Sequence, residues 1–114
     1  MKQVLLDTNF ILTCMKQKID FFDEIPVMGI KIIIPQNVLD ELQKLKKSSA
    51  LKLMEQEKAN FVKLFLAGKN VDNSIIRYAK ENKDLIIATL DKGIQKKIKN
   101  KKLIIRDKKQ LEII

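Results

Sequence analysis

Histidine and tryptophan are absent from these 114 residues, and there is a single cysteine, Cys14. Without imidazole there is no histidine general base and no histidine-ligated zinc. One thiol cannot close a structural zinc site or an internal disulfide. Any acid–base or metal chemistry in this chain must rest on carboxylates, which favour hard cations such as Mg2+ or Mn2+. Aromatic residues make up only 5% of the chain, so the core must be built mostly from Ile, Leu and Val. Cys14, at an apolar helix start, reads as a small core residue, and a free thiol fits a reducing compartment. No apolar run approaches the roughly 18 residues of a membrane span. No basic segment followed by a long apolar stretch opens the chain. The expectation is a soluble, cytoplasmic protein with no membrane partner.

The length suits one compact domain, residues 1–114, and 46% hydrophobic content marks it as globular. Net charge is +9. Nearly all of that excess sits between Lys92 and Lys109, where nine basic residues stand against one acid, Asp107. A merely solvated surface normally mixes both signs. One-sidedness points to a phosphate-facing patch, with RNA or another polyanion as partner.

Short apolar runs at residues 4–6, 32–34, 85–88 and 103–105 read as strands buried on both faces. Helical patterns lie between them. The spacing predicts helices from Phe10 to Met15 with Thr8 or Asn9 as N-cap, from Asp20 to a stop before Pro26, and from Gln36 to Lys46. Three more are predicted from Ala50 to Ala67, from Ser74 to Asn82 and after Asp91. The tail from Arg106 to Ile114 reads as a short edge element. Alternation of this kind means a mostly parallel sheet covered on both sides, an α/β fold.

Four acids stand out by position. Asp7 and Asp91 follow strand ends directly, at the edge where ligands gather in open α/β sheets. Glu41 lies on the edge of an apolar stripe formed by Val38, Leu42 and Leu45, while the adjacent Asp40 points away. Asp72 precedes the stripe of Ile75, Ile76 and Ala79 by one turn. Each has a plain structural explanation: Asp72 and Asp91 suit a helix N-cap, and Glu41 suits a snorkelling surface position. Together they would repel one another, and a divalent cation is the natural filler. One or two such ions can activate water and stabilise a leaving oxygen in phosphodiester cleavage.

The segments Leu5-Leu6-Asp7-Thr8-Asn9, Pro35-Gln36-Asn37-Val38-Leu39-Asp40-Glu41-Leu42, Val71-Asp72-Asn73-Ser74-Ile75-Ile76 and Ala88-Thr89-Leu90-Asp91 resemble the PIN domain family in order and spacing. The resemblance implies a three-layer α/β/α sandwich with parallel strand order 3-2-1-4-5. It implies that Asp7, Glu41, Asp72 and Asp91 bind metal, with Thr8, Asn9 and Thr89 as polar supports. The implied activity is Mg2+- or Mn2+-dependent endoribonuclease cleavage leaving 5′-phosphate and 3′-hydroxyl ends. Asp7 through Ile25 and the ending Ile105 to Glu112 are similar to archaeal relatives of the small-subunit processome PIN endonuclease, which cleaves precursor ribosomal RNA. Toxin nucleases of toxin–antitoxin pairs share the same four acids. Expected partners are therefore RNA, an antitoxin or a ribosome-assembly factor, and a second copy in a homodimer. A non-catalytic RNA-binding scaffold would share the basic run. A phosphoacceptor receiver domain would need an acceptor Asp after a middle strand, where this chain places the Ala50–Ala67 helix. One departure from the family is visible. Only Lys69-Asn70-Val71 precedes the third acid, so the edge strand there should be very short or missing.

Overall fold

In the computed structural model, which describes residues 2–107 and 109–114, Val4, Leu5 and Leu6 are fully buried at the centre of a sheet. They belong to β1 (Lys2–Leu6), which pairs in parallel with β2 (Ile30–Pro35) on one side and β4 (Ile86–Ala88) on the other. Successive side chains of a strand point to opposite faces. Val4 and Leu6 accordingly join one core with Phe10, Ile11, Phe21, Ile25, Val38 and Leu42, contributed by α1 (Thr8–Lys16), α2 (Phe21–Val27) and α3 (Gln36–Lys44). Helix α4 (Ser48–Gln56) closes that layer through Ala50 and Met54. Leu5 faces the other way, into a second core with Ile75, Ala79 and Ile94 from α5 (Val71–Glu81) and α6 (Lys92–Lys97). A strand covered by helices on both faces has no polar face, which is why its sequence shows an unbroken apolar run.

The sheet has six strands in the order β3-β2-β1-β4-β5-β6, with β3 (Val62–Leu64), β5 (Lys102–Arg106) and β6 (Gln110–Ile113) completing it. The five parallel strands follow the expected 3-2-1-4-5 order. The tail adds a sixth, β6, which pairs antiparallel with β5. The edge strand exists, but not where the spacing put it. It lies inside the segment read as one helix from Ala50 to Ala67.

That helix stops at Gln56, and a 3₁₀ turn over Lys58–Asn60 leads into β3. Ile33, Ile34 and Pro35 of β2 offer backbone groups on an open edge, and Val62–Leu64 pairs with them in register. Satisfying those groups outweighs helical spacing in a stretch whose outer residues have little to bury. Val62 and Phe65 are exposed, not inward. The first helix begins at Thr8, two residues earlier than expected, with Asp7 rather than Thr8 or Asn9 as its N-cap. The second runs one residue past Pro26. The fifth begins at Val71, capped by Asn70. Cys14 is buried among apolar side chains, which push its thiol up to about 12.

Candidate active site

Three parallel strands end beside one another at Leu6, Pro35 and Ala88, and the polar residues that follow them share the carboxyl edge of the sheet. Asp7 is the deepest. Its backbone N–H donates to the Ala88 carbonyl at 2.9 Å, extending the β1–β4 ladder by one bond. Its Oδ1 accepts from the Thr8 N–H at 2.8 Å, and its Oδ2 accepts from the Thr89 hydroxyl at 2.8 Å. The residue is only 3% exposed.

Burial raises the Asp7 carboxyl to about 6. The bonds from Thr89 and Thr8 hold it down in part, while Asp72 and Glu41 push it further up. Asp72, in the exposed first turn of α5, is also raised, first by partial desolvation and then by Asp91 and Glu41. Asp72 thus lies within charge range of the other three expected acids, and Asp7 within that of Glu41. Among the described residues no basic side chain forms an ion pair with any of them; the pairs formed are Lys58–Glu55 and Arg106–Glu112.

Each supporting residue has a definite place. Thr89 is buried, and its hydroxyl both donates to Asp7 and accepts from the Asp91 N–H at 3.1 Å. Asp91 caps α6 through Oδ1, which accepts from the Gly93 and Ile94 N–H groups at 2.8 and 3.3 Å. The N-cap role and a place in the acidic cluster therefore coexist in one side chain. Thr8 is buried, and its hydroxyl has no partner among the described residues. Asn9 is exposed on α1, and its side chain makes no hydrogen bond among the described residues. Glu41 is half-buried on α3; its neighbour Asp40 is exposed and accepts from Gln36 Nε2 at 2.9 Å.

The donor set suits a hard divalent cation: all donors are oxygens, and a buried carboxylate near neutral pH has no counter-charge. Among the described residues, however, no three acidic or thiol side chains converge into a ready-made metal cage. Asp7, Glu41, Asp72 and Asp91 would hold an ion such as Mg2+, which keeps several waters and does not need a closed cage of side chains.

Two supports carry no signal in the acid pattern. Gln95 Nε2 donates to the Thr89 carbonyl at 2.7 Å, steadying the turn that aims the threonine. Asn37 exchanges two bonds with the Leu66 backbone, donating to its carbonyl and accepting from its N–H, each at 3.0 Å. This continues the β2–β3 pairing by side chain and fixes the chain that leads to Asp72. An amide two residues after a strand-ending proline is the cue for such a clamp. Gly68 turns that chain with φ +110°, and a Cβ there would lie 2.8 Å from Ser74 Oγ. Gly68→Ala is expected to cost about 1–3 kcal/mol in urea denaturation, because strained backbone and a clash coincide.

The basic run does not form one rim. Lys92 opens α6 beside Asp91, and Arg106 ends β5 at the carboxyl edge, paired with Glu112. Lys102 donates to the carbonyls of Ile98 and Asn100. Lys101 lines a cleft with Lys2 and Lys83 at the opposite, amino edge. Lys108 lies outside the described residues. The sequence excess is therefore divided between two ends of the sheet.

A family model for the PIN like domain matches residues 4–110. The chain is 32% identical to Ribonuclease VapC4 of Methanocaldococcus jannaschii, over 99% of this chain and 97% of that protein. It is 31% identical to the rRNA-processing protein fcf1 of Schizosaccharomyces pombe, over 84% of this chain but only 53% of that protein, so it spans about half of that relative's length. The structure of the PIN domain endonuclease Utp24 superposes with a TM-score of 0.82 at 28% identity, covering 97% of this chain and 90% of the other.

Proposed function

Because the chain belongs to the PIN-like domain family, we propose that it is a Mg2+- or Mn2+-dependent endoribonuclease whose ion is held by Asp7, Glu41, Asp72 and Asp91. The observation that carries this reading is Asp7 itself. A carboxylate 3% exposed, with acidic neighbours and no cation, is unfavourable for folding and is retained where chemistry needs it. When bound, the metal supplies charge neutralisation and an activated water for in-line phosphodiester cleavage. The chain's own contributions are positional. Thr89 orients Asp7 and the Asp91 backbone at once, and Asp91 stays fixed by capping α6. Asp72 is exposed and Glu41 half-buried, so both remain accessible to solvent and substrate.

Likeness to the rRNA-processing protein fcf1 supports a ribosomal RNA substrate, and likeness to the endonuclease Utp24 supports internal cleavage. Likeness to VapC4, nearly end to end, supports the second reading: a toxin ribonuclease with an antitoxin partner. Both readings share the same site. The test is cleavage of single-stranded RNA with Mn2+, expected to vanish with EDTA. Ion binding read by thermal unfolding should accompany it: at about a hundredfold excess over Kd, Mn2+ adds about 2.7 kcal/mol of stability. Cleavage that survives EDTA, or an unfolding curve indifferent to Mn2+, overturns the metal assignment.

A further inference from the structure

Metal holding leaves the groove beside Glu41 unexplained. It runs between α3 and the loop before α5, and its lining includes Asp40, Glu41, Lys44, Lys69 and Asn70. Lys44 and Lys69 are exposed, and neither forms an ion pair among the described residues, although two acids line the same groove. The loop that carries Lys69 is held from several sides. Asn37 pins Leu66, and the Ser74 hydroxyl lies 2.7 Å from the Ala67 carbonyl. Arg77 Nη1 donates to that same carbonyl at 3.3 Å. Gly68 takes a backbone conformation and a closeness to Ser74 that other residues cannot match. Lys69 is therefore presented from a fixed place next to the acid cluster.

An acidic floor with a cationic rim is the charge pattern of a site that takes a metal-bound phosphate and its neighbours together. No aromatic side chain lines the groove to stack a base, so recognition there is by backbone and independent of sequence. We propose that this groove seats the phosphates flanking the cleaved bond, with single-stranded RNA passing between α3 and the Gly68–Val71 loop and Lys44 and Lys69 as its phosphate contacts. The proposal rests on the ribonuclease reading for its substrate class. It moves the main grip away from the lysine-rich run, part of which lies at the far edge of the sheet.

The experiment is fluorescence anisotropy of the full chain with a short single-stranded RNA, between roughly 50 and 200 mM salt, in EDTA, which removes the metal that cleavage requires. The double variant Lys44→Ala, Lys69→Ala is expected to bind about tenfold more weakly at low salt, with the log–log salt slope reduced by about 1.4. The pair Lys83→Ala, Lys101→Ala, at the amino edge, is expected to bind as the wild type does. Undiminished binding by the first variant, equal loss in the second, or no binding by the wild type overturns the groove assignment. Because this series contains no metal, it is independent of cleavage. Binding that depends on Lys44 and Lys69 in a chain that cleaves nothing with Mn2+ would remove the nuclease reading and keep the groove.

Discussion

Asp7→Asn is expected to abolish RNA cleavage and to make the protein more stable at neutral pH. The two effects share one cause. A metal site supplies several kcal/mol of transition-state stabilisation, and at 1.36 kcal/mol per tenfold its loss corresponds to about a thousandfold or more in rate. On the stability side, Asp7 has an ordinary value of 3.8 when the chain is unfolded and about 6 when folded. Folding therefore favours its protonated form. The corresponding stability is fully present below pH 3.8, is lost as pH rises through 6, and is absent at pH 7. A shift of about two units bounds the penalty at about 3 kcal/mol.

Asn is neutral and avoids that penalty. Its Oδ1 can still accept from Thr8, and its Nδ2 can donate to a rotated Thr89 hydroxyl. Urea unfolding should therefore show the variant about 1–3 kcal/mol more stable at pH 7, and closer to the wild type at pH 4. RNA binding should survive. A variant that cleaves normally, or that is destabilised at pH 7, contradicts the assignment of Asp7 as a carboxylate kept at a structural cost.

The parallel sheet is legible because it leaves a direct mark: Val4-Leu5-Leu6 and Ile32-Ile33-Ile34 are uniformly apolar since both faces are buried. Asp7 and Asp91 are legible for the same reason, as abrupt polar residues after such runs. Glu41 and Asp72 stand out only when helical angle is added to position, and the resemblance of whole motifs singles them out more sharply than angle alone does. The edge strand Val62–Leu64 is not legible, because a three-residue exposed strand is defined by its partner, β2, and not by its own pattern. Asn37, Gln95 and Gly68 act through single backbone groups that only folding brings near. The charge run misleads in a different way. Proximity in sequence cannot say that α6 and the three residues after it carry Lys101 to the edge opposite Lys92. Asn100 escapes notice within that run, yet it is 4% exposed and its side-chain amide binds the carbonyls of Ala79, Asn82 and Leu85.

Thr89→Val should be the most damaging change outside the acids, with an effect that depends on pH. Valine keeps the volume but removes the hydroxyl that donates to Asp7 Oδ2 and accepts from the Asp91 N–H. A hydrogen bond to a charged group is worth about 1.5–3 kcal/mol, and the site is too buried for water to replace it freely. The Thr89 bond is also the stronger of the two that hold Asp7 down. Without it the folded-state carboxyl rises beyond about 6, and the unfolded value is unchanged. The window over which stability falls with rising pH therefore still begins near 3.8 but extends to higher pH. The variant should lose about 2 kcal/mol relative to wild type at pH 7 and much less at pH 4, where Asp7 is protonated in both. Cleavage should need a higher pH to reach its plateau, because the ionised carboxylate is the form that holds metal. Thr89→Ser keeps the hydroxyl and should restore both the stability and the pH profile. Equal losses in the serine and valine variants, or an acidic limb unmoved by valine, would mean that Thr89 acts by packing alone.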